Sequence, residues 1–157
     1  MLSPEDLQRF ILAHNIQAEM LFLDSLTPTV ESAAQAVGTE PENIVKTILF
    51  LVDGKPVLVI ACGQARIDSR AIAARYGVGR KRIKLASQEV VLRETGYEVG
   101  AMPPFGHLKP IETLIDRRVL ERAEVFAGGG SEQTLIRLSP QAILQMTEAH
   151  VLELVRS

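Results

Sequence analysis

Lys46 is the one charged residue in the run Ile44-Val45-Lys46-Thr47-Ile48-Leu49-Phe50-Leu51-Val52, the most apolar stretch of the chain. If that run is a strand, alternation puts Lys46 on the same face as Ile44, Ile48 and Phe50. Two roles fit such a lysine. Its stem can cover apolar surface while the ammonium reaches water, or the ammonium can sit at a cleft edge and bind a phosphate or a carbonyl-bearing substrate. The segment Gly96-Tyr97-Glu98-Val99-Gly100-Ala101-Met102-Pro103-Pro104-Phe105-Gly106 is a second candidate. Its small residues let backbone N–H groups approach a ligand, which is how a carbonyl or oxyanion is held without a charged group. Proline has no N–H, so the donors here are those of Gly100, Ala101 and Met102, or of residues beyond Pro104. The same composition also suits a rigid connection between two elements.

Two further features could contact a ligand. Gly128-Gly129-Gly130, followed by Ser131, could admit a ligand backbone or serve only as a hairpin turn. It joins two strands and so matches no phosphate-loop or dinucleotide fingerprint. Arg75, Arg80, Lys81, Arg82 and Lys84 form a basic cluster with no acid among them, either a solvated loop or an RNA-backbone contact centred on Arg80 and Arg82.

Other chemistries are not supported. His14, His107, His150 and Cys62 show no metal-ligand spacing. Ser87 and Ser131 lack His and Asp partners in a motif, and Cys62, among Val, Leu and Ile, reads as a small core residue. The net charge of −2 argues against holding nucleic acid by bulk charge, so any RNA contact must be local. One cysteine permits no intrachain disulfide, and a reducing cytoplasm is the expected location. The acidic start Met1-Leu2-Ser3-Pro4-Glu5-Asp6 does not read as a signal peptide, and no apolar run is long enough for a membrane span.

The elements that must position these residues follow from caps and periodicity. Ser3-Pro4-Glu5-Asp6 opens a helix over 4–14, and Thr29 caps another that Gly38 ends. Residues 18–24 suit a strand. Ile44 to Val52 and Val57 to Cys62 form a hairpin whose turn, Asp53-Gly54-Lys55-Pro56, is lengthened by its proline. Short helices are expected at 68–75 and after Ser87, with a strand at 83–85 between them. Thr95 to Pro110, rich in Gly and Pro, can be neither helix nor central strand. A strand (111–115), a short helix (117–122) and a strand (124–127) follow. The triple-glycine turn then leads to a strand at 133–138, a helix capped by Ser139 and a last strand at 151–155. With 46 % apolar and 23 % charged residues and no linker, residues 1–157 read as one α/β domain with a mixed, mainly antiparallel sheet and short surrounding helices.

Val45-Lys46-Thr47 opening a hairpin, Thr95-Gly96-Tyr97 with a Gly100-x-x-x-Pro104 loop, and the Gly128-Gly129-Gly130 segment together resemble the YbaK/prolyl-tRNA editing family. Its members are freestanding relatives of the editing domain inserted in bacterial prolyl-tRNA synthetases. The resemblance runs from about residue 15 to the C-terminus. It implies a partly barrel-like sheet and hydrolysis of the ester between a wrong amino acid and tRNA, with tRNA(Pro) carrying a small residue as the expected substrate. It implies that Lys46 contacts substrate, that Gly100, Ala101 and Met102 offer N–H groups, and that Met20, Pro104, Gly128 and Gly129 line the pocket. It implies no metal or organic cofactor, with a ribose hydroxyl assisting the attacking water in some members. Aminoacyl-tRNA is the implied partner, and prolyl-tRNA synthetase a further one. Where some members have a histidine or serine, Ala127 precedes the glycines here. That departure keeps open a non-catalytic module binding tRNA or a synthetase, and the mild charge keeps open a small-molecule esterase or amidase.

Overall fold

Ser3, Thr29, Asp68, Ser87, Asp116 and Ser139 each accept a backbone N–H from the turn that follows, and each opens a helix. In the computed structural model, which describes residues 1–156, these are α1 (Pro4–Ala13), α2 (Val30–Val37), α3 (Ser69–Tyr76), α4 (Gln88–Thr95), α5 (Arg117–Leu120) and α6 (Pro140–Thr147). Among the described residues no helix is long and apolar enough to cross a membrane.

The strands are β1 (Ala18–Phe22), β2 (Val45–Val52), β3 (Lys55–Cys62), β4 (Ile83–Leu85), β5 (Glu112–Asp116), β6 (Val125–Ser131), β7 (Thr134–Leu138) and β8 (His150–Leu152). They form a five-stranded sheet ordered β4-β2-β3-β5-β8 and a three-stranded sheet ordered β1-β7-β6. β5 runs parallel to both its neighbours and the other pairs are antiparallel, as expected of a mixed, mainly antiparallel sheet.

Alternation along β2 and β3 gives the larger sheet two apolar faces. Phe50, Val57 and Val59 pack with Ile72 of α3 and with Leu154. On the other face Leu49 and Leu58 pack with Val91, Tyr97 and Met102, while Val45 and Ile60 join Leu7, Val125, Ala127 and Ile136 in the core shared with the small sheet. The outer face of the small sheet, through Phe126 and Leu135, is covered by Ala33 and Ala34 of α2.

Three expectations need correction. The β2–β3 turn has two residues, because Val52 pairs directly with Lys55 while Asp53 (φ 49°) and Gly54 (φ 85°) are both left-handed. Pro56 does not lengthen it. Hydrogen-bonded pairs alternate with non-bonded ones, so the Leu51–Pro56 pair makes no demand on the missing N–H. The glycine triplet is not a turn either: Gly128, Gly129 and Gly130 lie within β6, and the turn falls at Glu132-Gln133 after a bulge between Gly128 and Ser131.

The third correction concerns the barrel. β2 and β6 meet through one parallel bridge, Ile44–Phe126, and the two sheets do not close. Beyond Phe126 the backbone of β6 is committed elsewhere. The Gly130 N–H donates to the Ala101 carbonyl at 2.9 Å, and a Cβ placed on Gly128 would lie 2.4 Å from the Met102 carbonyl oxygen. β6 therefore packs backbone to backbone on the 100–102 loop, which only a strand without side chains can do.

Gly128→Ala should thus lower stability by about 1–3 kcal/mol in urea denaturation, the range for overpacking. Gly79→Ala, whose Cβ would meet nothing within 4 Å, should match the parent. Equal stability of the two variants would mean that strand and loop are not in tight contact.

Candidate active site

β4 is three residues long and β2 is eight, and that difference opens the site. The pair beside the tight turn, Val52–Lys55, is hydrogen-bonded, so Phe50, Ile48 and Lys46 also direct their backbone groups at β3. Leu51, Leu49, Thr47 and Val45 direct theirs to the opposite edge. There β4 covers Leu51, and the Ala86 N–H reaches the Leu49 carbonyl at 3.0 Å. At the other end Ile44 bridges to Phe126. Between these two points, among the described residues, no strand pairs with Thr47 on this edge, although β3 pairs with it through Ile60 on the other.

A cavity of about 280 Å³ occupies this gap. Its floor is β2 from Ile44 to Leu49. Its walls are Thr27 to Val30 and Ala33 at the start of α2, Leu85 at the end of β4 and Ala86 after it, Val91 of α4, the loop residues Val99, Gly100 and Met102, and Gly128 and Leu135 of the small sheet. Lys46 and Thr47 are on opposite faces of β2 and both border the cavity, because it wraps around the strand's open edge.

Lys46 Nζ donates to the Ala65 carbonyl at 2.8 Å and among the described residues is paired with no carboxylate, so two of its donors remain for a ligand. Burial holds its pKa below the ordinary lysine value, opposed in a smaller measure by Cys62 across the sheet. Gly100 has φ +87° with open space where a Cβ would be. Among the described residues neither its amide nor that of Met102 has a protein acceptor. The loop carrying them is pinned from several sides. Thr95 Oγ1 donates to the Val91 carbonyl and accepts from the Tyr97 N–H, and the buried Tyr97 ring meets His107 edge-on. His107 Nε2 donates to the Pro103 carbonyl at 2.8 Å, and burial lowers the pKa of that imidazole. No acidic residue or histidine borders the cavity, and among the described residues no three His, Cys, Asp or Glu side chains lie together as a metal would need.

Of the residues singled out in the sequence, Lys46, Gly100, Met102 and Gly128 come together here. Ala101 does not offer a donor, since its N–H is bound to the Glu98 carbonyl at 3.1 Å and its own carbonyl holds Gly130. Gly129 packs against Thr134. Pro104 lies behind the loop in a separate recess with Phe10 and His107. Met20 pairs with Ile136 and packs into the core on the inner face of the small sheet, away from Leu135 and the cavity. Ala127 faces that same core and does not border the cavity. Arg80 and Arg82 are exposed in a 3₁₀ turn (Arg80–Arg82) beside the β2–β3 turn, where Arg82 pairs loosely with Asp53 at 3.3 Å. Six residues of strand separate that turn from Lys46, about 20 Å.

The sequence reading missed Thr27, Thr47, Leu85 and Val99. Thr47 Oγ1 is a buried hydroxyl without a partner among the described residues. The short β4 was legible, but which edge of β2 it would leave open depended on strand order.

Fold and site define an α/β domain with a small apolar cleft, one ammonium and unpaired backbone donors, suited to holding a carbonyl. Residues 24–146 match the family model of the aminoacyl-tRNA editing domain, and the chain belongs to that family. It is 35 % identical over 109 residues to a proline–tRNA ligase of Maridesulfovibrio salexigens, spanning 69 % of this chain and 18 % of that enzyme. It is 25 % identical over 127 residues to EbsC of Enterococcus faecalis, a candidate Cys-tRNA(Pro)/Cys-tRNA(Cys) deacylase, covering 80 % and 76 % of the two chains. A solved structure described as a candidate trans-editing enzyme for prolyl-tRNA synthetase is 30 % identical and superposes with a TM-score of 0.91 over the full length of both chains.

The lysine gives a direct test. Followed by NMR on its ε-carbon, Lys46 should titrate below the ordinary lysine value. Ligand binding through its ammonium should weaken as pH rises through that lowered midpoint. A midpoint at the ordinary lysine value would place the side chain in open solvent.

Proposed function

We propose that this protein hydrolyses the ester linking a wrong, small amino acid to tRNA, with tRNA(Pro) the leading substrate, and so acts as an editing enzyme. The observation that carries the reading is the convergence of Lys46 with the free amides of Gly100 and Met102 on one cavity at the open edge of β2. The family supplies the reaction class, and the named relatives point to prolyl-tRNA synthetase as the enzyme whose errors are corrected.

An aminoacyl ester is already activated, so the site needs only to orient it beside a water and stabilise one developing oxyanion. Water adds to the carbonyl carbon and charge gathers on the carbonyl oxygen, facing the loop amides. The bond to the ribose oxygen then breaks, one proton of the attacking water passes to that oxygen to give the ribose hydroxyl, the other is released to solvent, and the amino acid departs as carboxylate. Among the described residues no carboxylate or imidazole borders the cavity, which suits proton transfer through the substrate's neighbouring ribose hydroxyl or a water. The Lys46 ammonium, in surroundings that weaken its hydration, holds a carbonyl or phosphate oxygen strongly.

Selection rests mainly on size, because most of the floor and walls is apolar, with Val30, Ala33, Ile48, Leu49, Val91 and Leu135. An apolar pocket separates ligands by about 1–3 kcal/mol per methylene. Ala127, the departure that kept open a non-catalytic module, packs in the core and does not border the cavity.

Incubation with a panel of mischarged tRNAs tests the proposal. At least one small aminoacyl group should be released. Lys46→Ala should lower that rate on the order of 100-fold with little change in melting temperature, and Gly100→Val, strained at its positive φ, should do the same, in line with loss of one oxyanion donor. Release from no member of the panel, or both variants turning over at the parent rate, would refute it.

The basic turn makes a separate prediction. Arg80→Glu with Arg82→Glu should weaken tRNA binding and reduce its logarithmic salt slope by about one for each phosphate the arginines no longer neutralise. Release from aminoacyl-adenosine should hold at the parent rate. Equal damage to both substrates would mean that the arginines act through the fold.

A further inference from the structure

Five of the residues bordering the cavity, Pro28, Thr29, Leu85, Val99 and Gly100, are exposed and so form its mouth. Two of them are sizeable apolar side chains open to solvent, Leu85 at 69 % and Val99 at 49 % exposure. Single exposed apolar residues are common and need no explanation. Here two flank one entrance, and they come from unrelated elements, Leu85 from the end of β4 and Val99 from the loop after α4. Among the described residues the only charged one in the lining is Lys46, on the floor.

Resting on the editing reading above, we infer that Leu85 and Val99 form an apolar clamp for the adenine base of the terminal tRNA nucleotide. The cavity, at about 280 Å³, falls below the usual range of roughly 300–1,000 Å³ for pockets that enclose whole drug-sized ligands. It is too small to enclose a whole aminoacyl-adenosine, and the aminoacyl group, which carries the reacting carbonyl, is the part placed inside. The ester joins that group directly to the ribose, so a carbonyl at the Gly100 and Met102 amides leaves the ribose in the mouth. Adenine, one glycosidic bond further out, must lie on the rim. A purine offers a flat, weakly hydrated face, and aliphatic side chains can sandwich it without reading its hydrogen-bonding edge.

The charge along β4 agrees with this direction. Lys84 precedes Leu85, and Arg82 lies three residues before it, about 10 Å along the chain. Both are exposed. A strand leaving the cavity along β4 thus passes from an apolar rim to positive charge, the order of base and then phosphate.

The test uses the intact protein with methyl groups labelled for NMR, titrated with adenosine 5′-monophosphate and, separately, with ribose 5-phosphate. Leu85 and Val99 methyl signals should shift saturably with the nucleotide and stay in place with the sugar phosphate. Leu85→Asn combined with Val99→Asn should weaken nucleotide binding roughly tenfold. On a mischarged tRNA it should raise KM more than it lowers kcat. Leu92→Asn, exposed on α4 and outside the lining, should change neither.

Equal shifts from both ligands, or nucleotide shifts confined to other methyl groups, would overturn the clamp. So would a double variant with parent KM, and in that case editing itself would stand. Nucleotide binding at these two methyls with no release from any mischarged tRNA would keep the clamp and overturn the catalytic reading instead.

Discussion

Between Gly128 and the Met102 carbonyl there is no room for a side chain, and the site depends on that fact. The 100–104 loop has no regular structure of its own. It is held because β6, stripped of side chains over three residues, lets the Gly130 N–H reach the Ala101 carbonyl. That bond, the His107 bond to the Pro103 carbonyl and the Thr95 hydroxyl fix the loop before any ligand arrives. Fixing it in advance matters because backbone donors stabilise an oxyanion well only when they need not reorganise during the reaction. The same contact draws β6 away from β2, so the sheets stay unclosed and the edge of β2 stays open. One close approach therefore accounts for both the loop geometry and the cavity beside it.

The second element of the site is an incomplete strand pairing. β4 and the Ala86 amide cover β2 down to Leu49, and among the described residues β6 forms a backbone bridge only at Ile44, just before β2. Exposed strand edges are usually protected because they invite pairing. Here the open stretch is walled by α2, α4 and the loop, so access is limited to a small ligand. Lys46 is held at this stretch by the Ala65 carbonyl, which fixes the ammonium without neutralising it. Partial burial lowers its pKa, the cost of keeping a charge in a mainly apolar cleft.

Local signals in the sequence carried a long way. All six helices begin at a Ser, Thr or Asp cap, and Lys46 stood out because alternation placed a charge among apolar residues. The loop was legible too, since six glycines and prolines within it exclude helix and central strand. Failures came where long-range packing decides. The glycine triplet has the composition of a turn, and its place inside a strand is set by a loop almost thirty residues earlier in the chain. Met20 sits one residue from Leu21, which faces α2, and that single step of strand parity puts it on the wrong side of the small sheet for the cavity. Ala101 lies between two residues with unpaired amides, and only the bond to the Glu98 carbonyl removes it as a donor. Leu85 and Val99 give no local sign of sharing a mouth, because the elements that carry them meet only in the fold.

The central claim is that the loop backbone, placed by the glycine strand, holds the reacting carbonyl. A crystal structure with a non-hydrolysable amide analogue of aminoacyl-adenosine tests it most directly. The analogue's carbonyl oxygen is predicted to lie about 2.7–3.1 Å from the amide nitrogen of Gly100, of Met102, or of both. A carbonyl bound instead by side chains alone, with both amides left to water, would contradict the claim.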